Sequence, residues 1–337
     1  MGVWVDGSLS WERQVKAVRQ KAWYAWHNIK KLTSQYHGLK LSTIILLVKI
    51  AIMPIIFYCA PVWLHNKTEQ FNDLWYDILK TATGSCCKPS VAKLEVICSL
   101  PPLELQINTI IVKFLIKNFL LHDEDLLKME ISHNIKQPRH IIHSHIKLLR
   151  DYIGHRTGSS RSVHTINVED YQGRIFYSKL TMWRFIKQQW ENRIQIWQGD
   201  EKFTDLIGER PLKTPCSRAT EVYLFQCIHG HVSLNSFLWN LSLVSSPLCD
   251  CKEKEETPDH VIFYCKEFSE IRDELIIEGD SLLSTIANLA RSKDSYEEFK
   301  RFCKLMNSIR KSKKASGHKQ LHEYFQKDEV QLGQEHH

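Results

Sequence analysis

A chain of 337 residues that is 43% apolar and 25% charged has room for two or three hydrophobic cores, and its balance excludes a fibrous, low-complexity or wholly disordered polypeptide. Forty-five Lys and Arg against 38 Asp and Glu leave a formal charge of +7, a lean towards polyanionic partners such as RNA or DNA. Ten cysteines with no secretory signal favour a reducing intracellular compartment, nucleus or cytoplasm, over a disulfide-built secreted domain.

In chain order, a first helix is expected from Ser10, as N-cap, through Trp23 and Ile29 to His37-Gly38. It is rich in cations, and Lys16, Arg19, Lys30 and Lys31, with Lys40 beyond it, are the first candidates for phosphate contact. The stretch 41–64 is the most apolar. Lys49, Pro54 and Pro61 interrupt it, so its longest uncharged part falls short of the ~20 residues a bilayer demands, and it reads as a central buried helix capped by Ser42. A third helix is expected over 67–82, with Phe71, Leu74, Trp75 and Ile78 at helical spacing, ended by Gly84-Ser85. Helices at 90–99 and 103–121 flank Pro101-Pro102.

Residues 132–164 have weak periodicity and six Lys or Arg against Asp151, the pattern of a basic linker, and His140, His143 and His145 there read as a solvated cluster. Helical pattern resumes over 177–197, 219–227 and 234–241, then again past residue 265 to about 277, over 281–291 and over 295–309. The run Arg310, Lys311, Lys313, Lys314 opens a tail that reads as disordered. The expected fold class is mainly α: a helical bundle over 1–122, a basic linker over 123–175, a helical region over 176–245, a metal-binding module over 246–280, helices over 281–309 and a basic tail over 310–337.

The chemistry is concentrated in 248–265, LCDCKEKEETPDHVIFYC. Cys249, Cys251, His260 and Cys265 supply three thiols and one imidazole, the tetrahedral N/S set of one structural Zn2+, with no position left open for catalysis. Thr257-Pro258-Asp259 reads as an N-cap, a proline at the first helical position and an acid in the first turn, which puts His260 and Cys265 on one helix. Five residues apart on a regular helix is a poor angular match, so a tightened or frayed turn, or a tilted helix, is expected. The charged run 252–256 spans the gap between the Cys249–Cys251 loop and that helix. The alternative is a set of unconnected buried or free cysteines.

These residues also carry a family likeness. Gly230-His231, Ser246-Pro247-x-Cys249-x-Cys251, Glu256-Thr257, His260 and Cys265 resemble the C-terminal zinc-binding region of non-LTR (LINE-type, jockey-like) retrotransposon reverse transcriptases. Gly2-Val3-x-Val5-Asp6-x-x-Leu9-x-Trp11, Tyr58-x-Ala60-Pro61-Val62-Trp63 and Leu100-Pro101-Pro102-Leu103-Glu104-Leu105 resemble segments of the helical thumb in the same family. Gln14 stands where a histidine is usual, and Cys59 where a glycine is. The resemblance implies a thumb that cradles a primer–template duplex by phosphate contacts, with further nucleic-acid affinity from the basic surface around Arg272 and the 310–314 run. The family's polymerase chemistry needs an aromatic-x-Asp-Asp turn holding two magnesium ions, and this sequence has no Asp-Asp pair. The expectation is therefore a truncated product that binds nucleic acid without polymerase, endonuclease or ribonuclease H activity, or, as the alternative, a protein–protein interaction module derived from a retroelement.

Overall fold

The computed structural model describes residues 2–64, 67–119, 179–198, 201–208, 210–277, 279, 281–291 and 295–313. The expected basic linker, His140, His143, His145 and Lys314 lie outside them. Among the described residues the chain is helical, as its composition and periodicities imply, and the β structure is a single antiparallel bridge, Leu248 to Glu255. No single helix among them is long and apolar enough to cross a membrane.

Two compact units divide the chain: 1–26 with 49–75 and 101–199, and 27–48 with 76–100 and 200–337. This division cuts across the expected 1–122 bundle, whose residues are shared between the two.

The first unit opens on a knot around Asp6. Its carboxylate accepts bonds from the Ser8 hydroxyl at 2.6 Å, the Ser10 amide at 2.9 Å and the Trp11 amide at 3.1 Å. The Ser8 bond leads, and together they hold Asp6 well below the usual carboxylate range. Asp6 thus organises the entry to α1 (Glu12–Lys30) together with Ser10, whose Oγ donates to Asp6 at 3.0 Å and accepts the Glu12 amide at 3.4 Å. That helix is shorter than expected, because Leu32 and Thr33 already close turns onto Ile29 and Lys30.

The apolar stretch is not one helix. It breaks into α2 (Leu41–Leu47), a π segment (Val48–Ile52), α3 (Met53–Phe57) and α4 (Ala60–Trp63). One side only is buried: Leu46, Ile50 and Val62 are exposed, so the segment is not enclosed all round. The break before α4 lies at Cys59, whose φ of 54° is left-handed, a conformation in which a Cβ costs roughly 1–2 kcal/mol. Trp63 then turns back and donates its indole N–H to the Tyr58 carbonyl at 2.8 Å. Glycine suits this φ, so Cys59→Gly is expected to stabilise the first unit by about 1 kcal/mol in urea unfolding; an unchanged or lower midpoint contradicts the strain.

Next come a 3-10 turn (Thr68–Phe71) and α5 (Asn72–Thr83), then α6 (Val91–Cys98) and α7 (Leu103–Phe119). Ser90 caps α6, accepting from the Lys93 amide, and Ser99 closes it in the left-handed conformation. After the undescribed segment come α8 (Lys179–Gln198), which packs on α7 in the first unit, and α9 (Glu201–Thr204).

In the second unit α10 (Arg218–His229) is the central helix, buried along nearly its whole length between its cap Ser217 and the left-handed Gly230. It carries a buried ion pair, Arg218 to Glu221 at 2.8 Å. Glu221 also accepts from the Leu41 amide at 3.0 Å and the Thr214 hydroxyl at 2.7 Å, and Arg218 donates to the Ala82 carbonyl at 2.7 Å. The N-terminus of α2 is thus capped by Glu221 and not by Ser42. The ends of α2, α5 and α10 meet at one charge pair.

At the other end of α10 His229, buried, takes the His231 amide on Nδ1 at 3.2 Å, which leaves Nε2 as the donor to Ser85 Oγ at 2.8 Å. Burial holds its pKa down at about 3. Unfolding restores an ordinary imidazole that binds a proton below about pH 6.5, so the unfolded state gains protons first and stability falls as pH drops from 6.5 towards 3. The loss at the acid end is a few kcal/mol. His229→Gln is expected to flatten the pH 4 to 6.5 segment of the stability profile; a parallel profile shifted only in height excludes this role.

The chain continues through α11 (Asn235–Asn240), the metal-ligand segment, α12 (Ser269–Leu275), α13 (Leu282–Arg291) and α14 (Tyr296–Lys313). Arg310 to Lys313, expected in a disordered tail, form the last turn of α14, because Ile309 and Lys313 are buried.

Candidate metal centre

The site is built on a short two-stranded turn. The Cys249 amide donates to the Lys254 carbonyl at 2.9 Å, the Lys252 amide to the Cys249 carbonyl at 2.8 Å and the Glu256 amide to the Pro247 carbonyl at 2.8 Å. Lys252 takes the left-handed conformation that this reversal requires. Cys249 and Cys251, on the same side of the turn, face the helix that follows.

That helix opens as the sequence implies. Thr257 Oγ1 accepts the His260 amide at 3.2 Å, the bond of an N-cap to the third helical residue, with Pro258 at the first position. The angular mismatch between His260 and Cys265 is resolved by widening, the opposite of the tightening or fraying expected. Residues His260–Tyr264 form a π turn, and the Cys265 amide donates to the His260 carbonyl at 2.7 Å, an i to i+5 bond. An α-helix would separate the two side chains by about 140°; the extra residue in the turn brings them to one side. Cys265 then adopts an extended conformation, ending the helix that was expected to run on, and a 3-10 turn (Lys266–Phe268) leads into α12.

The four ligand atoms lie within 4.8 Å of one another. Cys249 Sγ is 3.6 Å from Cys265 Sγ, and Cys251 Sγ is 3.2 Å from His260 Nε2. A tetrahedral zinc with bonds of about 2.3 Å to sulfur and 2.0–2.1 Å to nitrogen sets edges of roughly 3.8 and 3.6 Å, so the set accepts the ion with small adjustments. Its chemistry fits as well. Each sulfur accepts a backbone N–H from the residue two ahead: Cys249 from Cys251, Cys251 from Glu253 and Cys265 from Glu267. Such amides favour thiolate, the form that binds metal. In Cys251, the most accessible of the three, the Glu253 amide leads and the thiol pKa is lowered; in Cys249 and Cys265 burial leads and raises it. Burial also lowers the pKa of His260, keeping the imidazole neutral, as a ligand must be. Cys249, His260 and Cys265 are buried. The structure thus brings together all four residues that the spacing singled out, as a group able to hold one metal ion.

A carboxylate frame surrounds them that the sequence did not disclose. Glu256 is buried: its Oε2 accepts the Asn235 amide at 2.7 Å, capping α11, and its carbonyl accepts Ser236 Oγ at 2.7 Å. Lys313 reaches into this frame, with Nζ 2.7 Å from Glu256 Oε1, 2.6 Å from Asp250 Oδ2 and 3.4 Å from Glu267 Oε2. Burial opposes its charge, but the bonds to Asp250 and Glu256 override this and hold its pKa above the ordinary value. Arg272 donates to the Cys265 carbonyl at 2.7 Å. The only advance signal was the acidity of 250–256, which matches a lysine without saying which one.

The described candidate nucleic-acid cations differ in what holds them. Lys313 is a correction: at 8% exposure and bonded to three carboxylates, it is part of the protein's interior. Arg19 pairs with Asp73, and Lys30 with Asp77 at 2.8 Å. Lys40 donates to the Thr214 carbonyl at 3.1 Å, and Arg310, half-buried, donates to Asn307 at 3.0 Å. Arg272 serves the metal-ligand segment. Lys16, Lys31 and Lys311 are exposed.

Compared with protein-family models, with curated proteins and with solved structures, the chain matches none.

Proposed function

We propose that this chain is a zinc-stabilised helical protein of the non-LTR reverse-transcriptase type that binds nucleic acid through phosphate contacts and performs no bond-making chemistry of its own. The metal centre supports a structural role, since three sulfurs and one nitrogen fill a tetrahedral zinc and leave no place for water or substrate. The observation that carries the binding reading is a cleft of about 640 Å³ within the first unit, lined by Lys16, Arg19, Lys67, Gln20 and Trp23, with Glu12 as its acid. Cations beside an indole are what a nucleotide backbone and its bases require. The Arg19–Asp73 pair is roughly half exposed on both sides. A surface pair of that kind is worth at most ~1 kcal/mol, so a phosphate can displace Asp73. The family likeness adds one point: Cys59, which stands where glycine is usual, has the positive φ that glycine serves.

In fluorescence anisotropy with a labelled RNA–DNA duplex, affinity is expected to fall steeply with salt and to vary little with sequence. Lys16→Glu is expected to weaken binding and to lower the salt slope by about one. A salt-independent affinity, or one indifferent to Lys16→Glu, removes the reading.

A second reading has its own support. Trp239, Leu248, Tyr264 and Ile276 are 46–65% exposed on or near the metal-ligand segment, where several candidate cations are committed to internal bonds. Apolar side chains of this size suit a protein partner. Pull-down after nuclease digestion separates the two: a partner that survives digestion and is lost in Tyr264→Ala favours docking, and capture that disappears with the nucleic acid favours the first reading.

A further inference from the structure

We propose that Cys86 and Cys87 form a second, dithiol site, one that takes a soft three-coordinate ion of the arsenic(III) type through two sulfurs, independently of the function proposed above. Neighbouring residues of an extended chain point to opposite sides, yet these two sulfurs are 3.5 Å apart. The turn that brings them together is held from outside. Gly84 has φ +70°, and a Cβ there would lie 2.5 Å from Val222. Ser85 Oγ is 2.8 Å from both Thr83 Oγ1 and His229 Nε2. The turn is therefore imposed by α10 and the end of α5, and the thiols need no rearrangement to act as a pair.

The separation selects the ligand. Two sulfurs on opposite sides of a linear ion sit about 4.6 Å apart at a bond of ~2.3 Å, whereas an ion that binds them at an angle accepts a distance near the one found. No third histidine, cysteine or carboxylate joins them in a metal-binding group among the described residues, so the remaining position falls to a group the ion brings with it. The surroundings suit a soft, poorly hydrated ligand: Cys87 is buried against Leu238, with Phe237, Leu241, Leu243 and Val244 around it, while Cys86 is half-buried and leaves an approach. With a monosubstituted arsenical the step balances without an oxidant: R–As=O and two thiols give R–As(S)2 and one water, two As–S bonds forming as the As=O bond and two S–H bonds break, and arsenic stays trivalent.

The test uses the full zinc-loaded chain and phenylarsine oxide. Intact-mass measurement is expected to show one added phenylarsenic group per chain with zinc retained, reversed by a small dithiol and not by a monothiol. Cys86→Ser is expected to abolish the adduct, while Cys59→Ser, at an exposed lone thiol, keeps it. Proteolysis of the wild-type adduct is expected to place the arsenic on the peptide containing 86 and 87, which makes the test independent of how the variant folds. Absence of an adduct, an adduct mapped elsewhere, or one formed only as zinc is released overturns the proposal.

Discussion

Chelating zinc, or replacing Cys251 with Ser, is expected to unfold residues 247–268 and to release α14 from them. A structural zinc contributes roughly 10–16 kcal/mol in small modules, as much as the ~5–15 kcal/mol that holds a whole domain. Besides the ion, the segment is held by a bridge of one residue pair, a π turn, a short apolar row of Val261, Ile262, Phe263 and Phe268, and the bonds of Glu256 to Asn235 and Ser236. Its loss spreads by a specific route, because Lys313 is bonded to Asp250, Glu256 and Glu267, and without the folded segment a buried ammonium faces nothing. Hydrogen exchange should therefore show protection disappearing over 248–268 and weakening in the last turns of α14, while α7 and α8 of the first unit keep theirs. Protection that is indifferent to chelation, or lost equally in both units, refutes the account. Lys313→Met gives a milder form of the same result, with zinc retained and the end of α14 frayed.

The second large effect is at Glu221. Removing its carboxylate leaves Arg218 charged and buried, and at the same time strips the cap from the Leu41 amide and the partner from Thr214. Breaking a buried pair on one side costs about 3–5 kcal/mol, so Glu221→Ala is expected to lower the urea midpoint more than any surface substitution. Replacing both members with apolar side chains, Arg218→Met with Glu221→Leu, is expected to be less harmful than Glu221→Ala, since no isolated charge remains. A double variant whose loss equals the sum of the two single losses shows that the pair acts as two separate groups and sinks this reading.

Local signals were readable where the partners lie within a few residues. Gly84-Ser85 ends α5, and Thr257-Pro258 opens the helix that carries His260. These interactions close over a few residues, and side-chain type alone decides them. The meeting of Cys249, Cys251, His260 and Cys265 was readable for a similar reason, since three thiols and an imidazole within so short a span suit a tetrahedral ion. Misreadings arose where a nearby polar residue competes with a distant one. Ser42 is a reasonable cap until Glu221 reaches the Leu41 amide from 180 residues away. Charge misleads in the same way: a lysine near a helix end reads as solvated, and nothing local marks Lys313 as the one that three carboxylates enclose.

By itself the sequence determined the helical class of this protein, several of its helix boundaries and the identity of the four residues that gather into a group able to hold a metal ion, because periodicity, capping and ligand chemistry act over short spans. Only the tertiary structure decided how His260 and Cys265 come to the same side, through a π turn, and which cations are consumed inside the protein rather than offered to a partner. The reason is physical: a buried charge is settled by whichever opposite charge the fold brings to within 3 Å or so, and burial makes that choice worth kilocalories that no local pattern records.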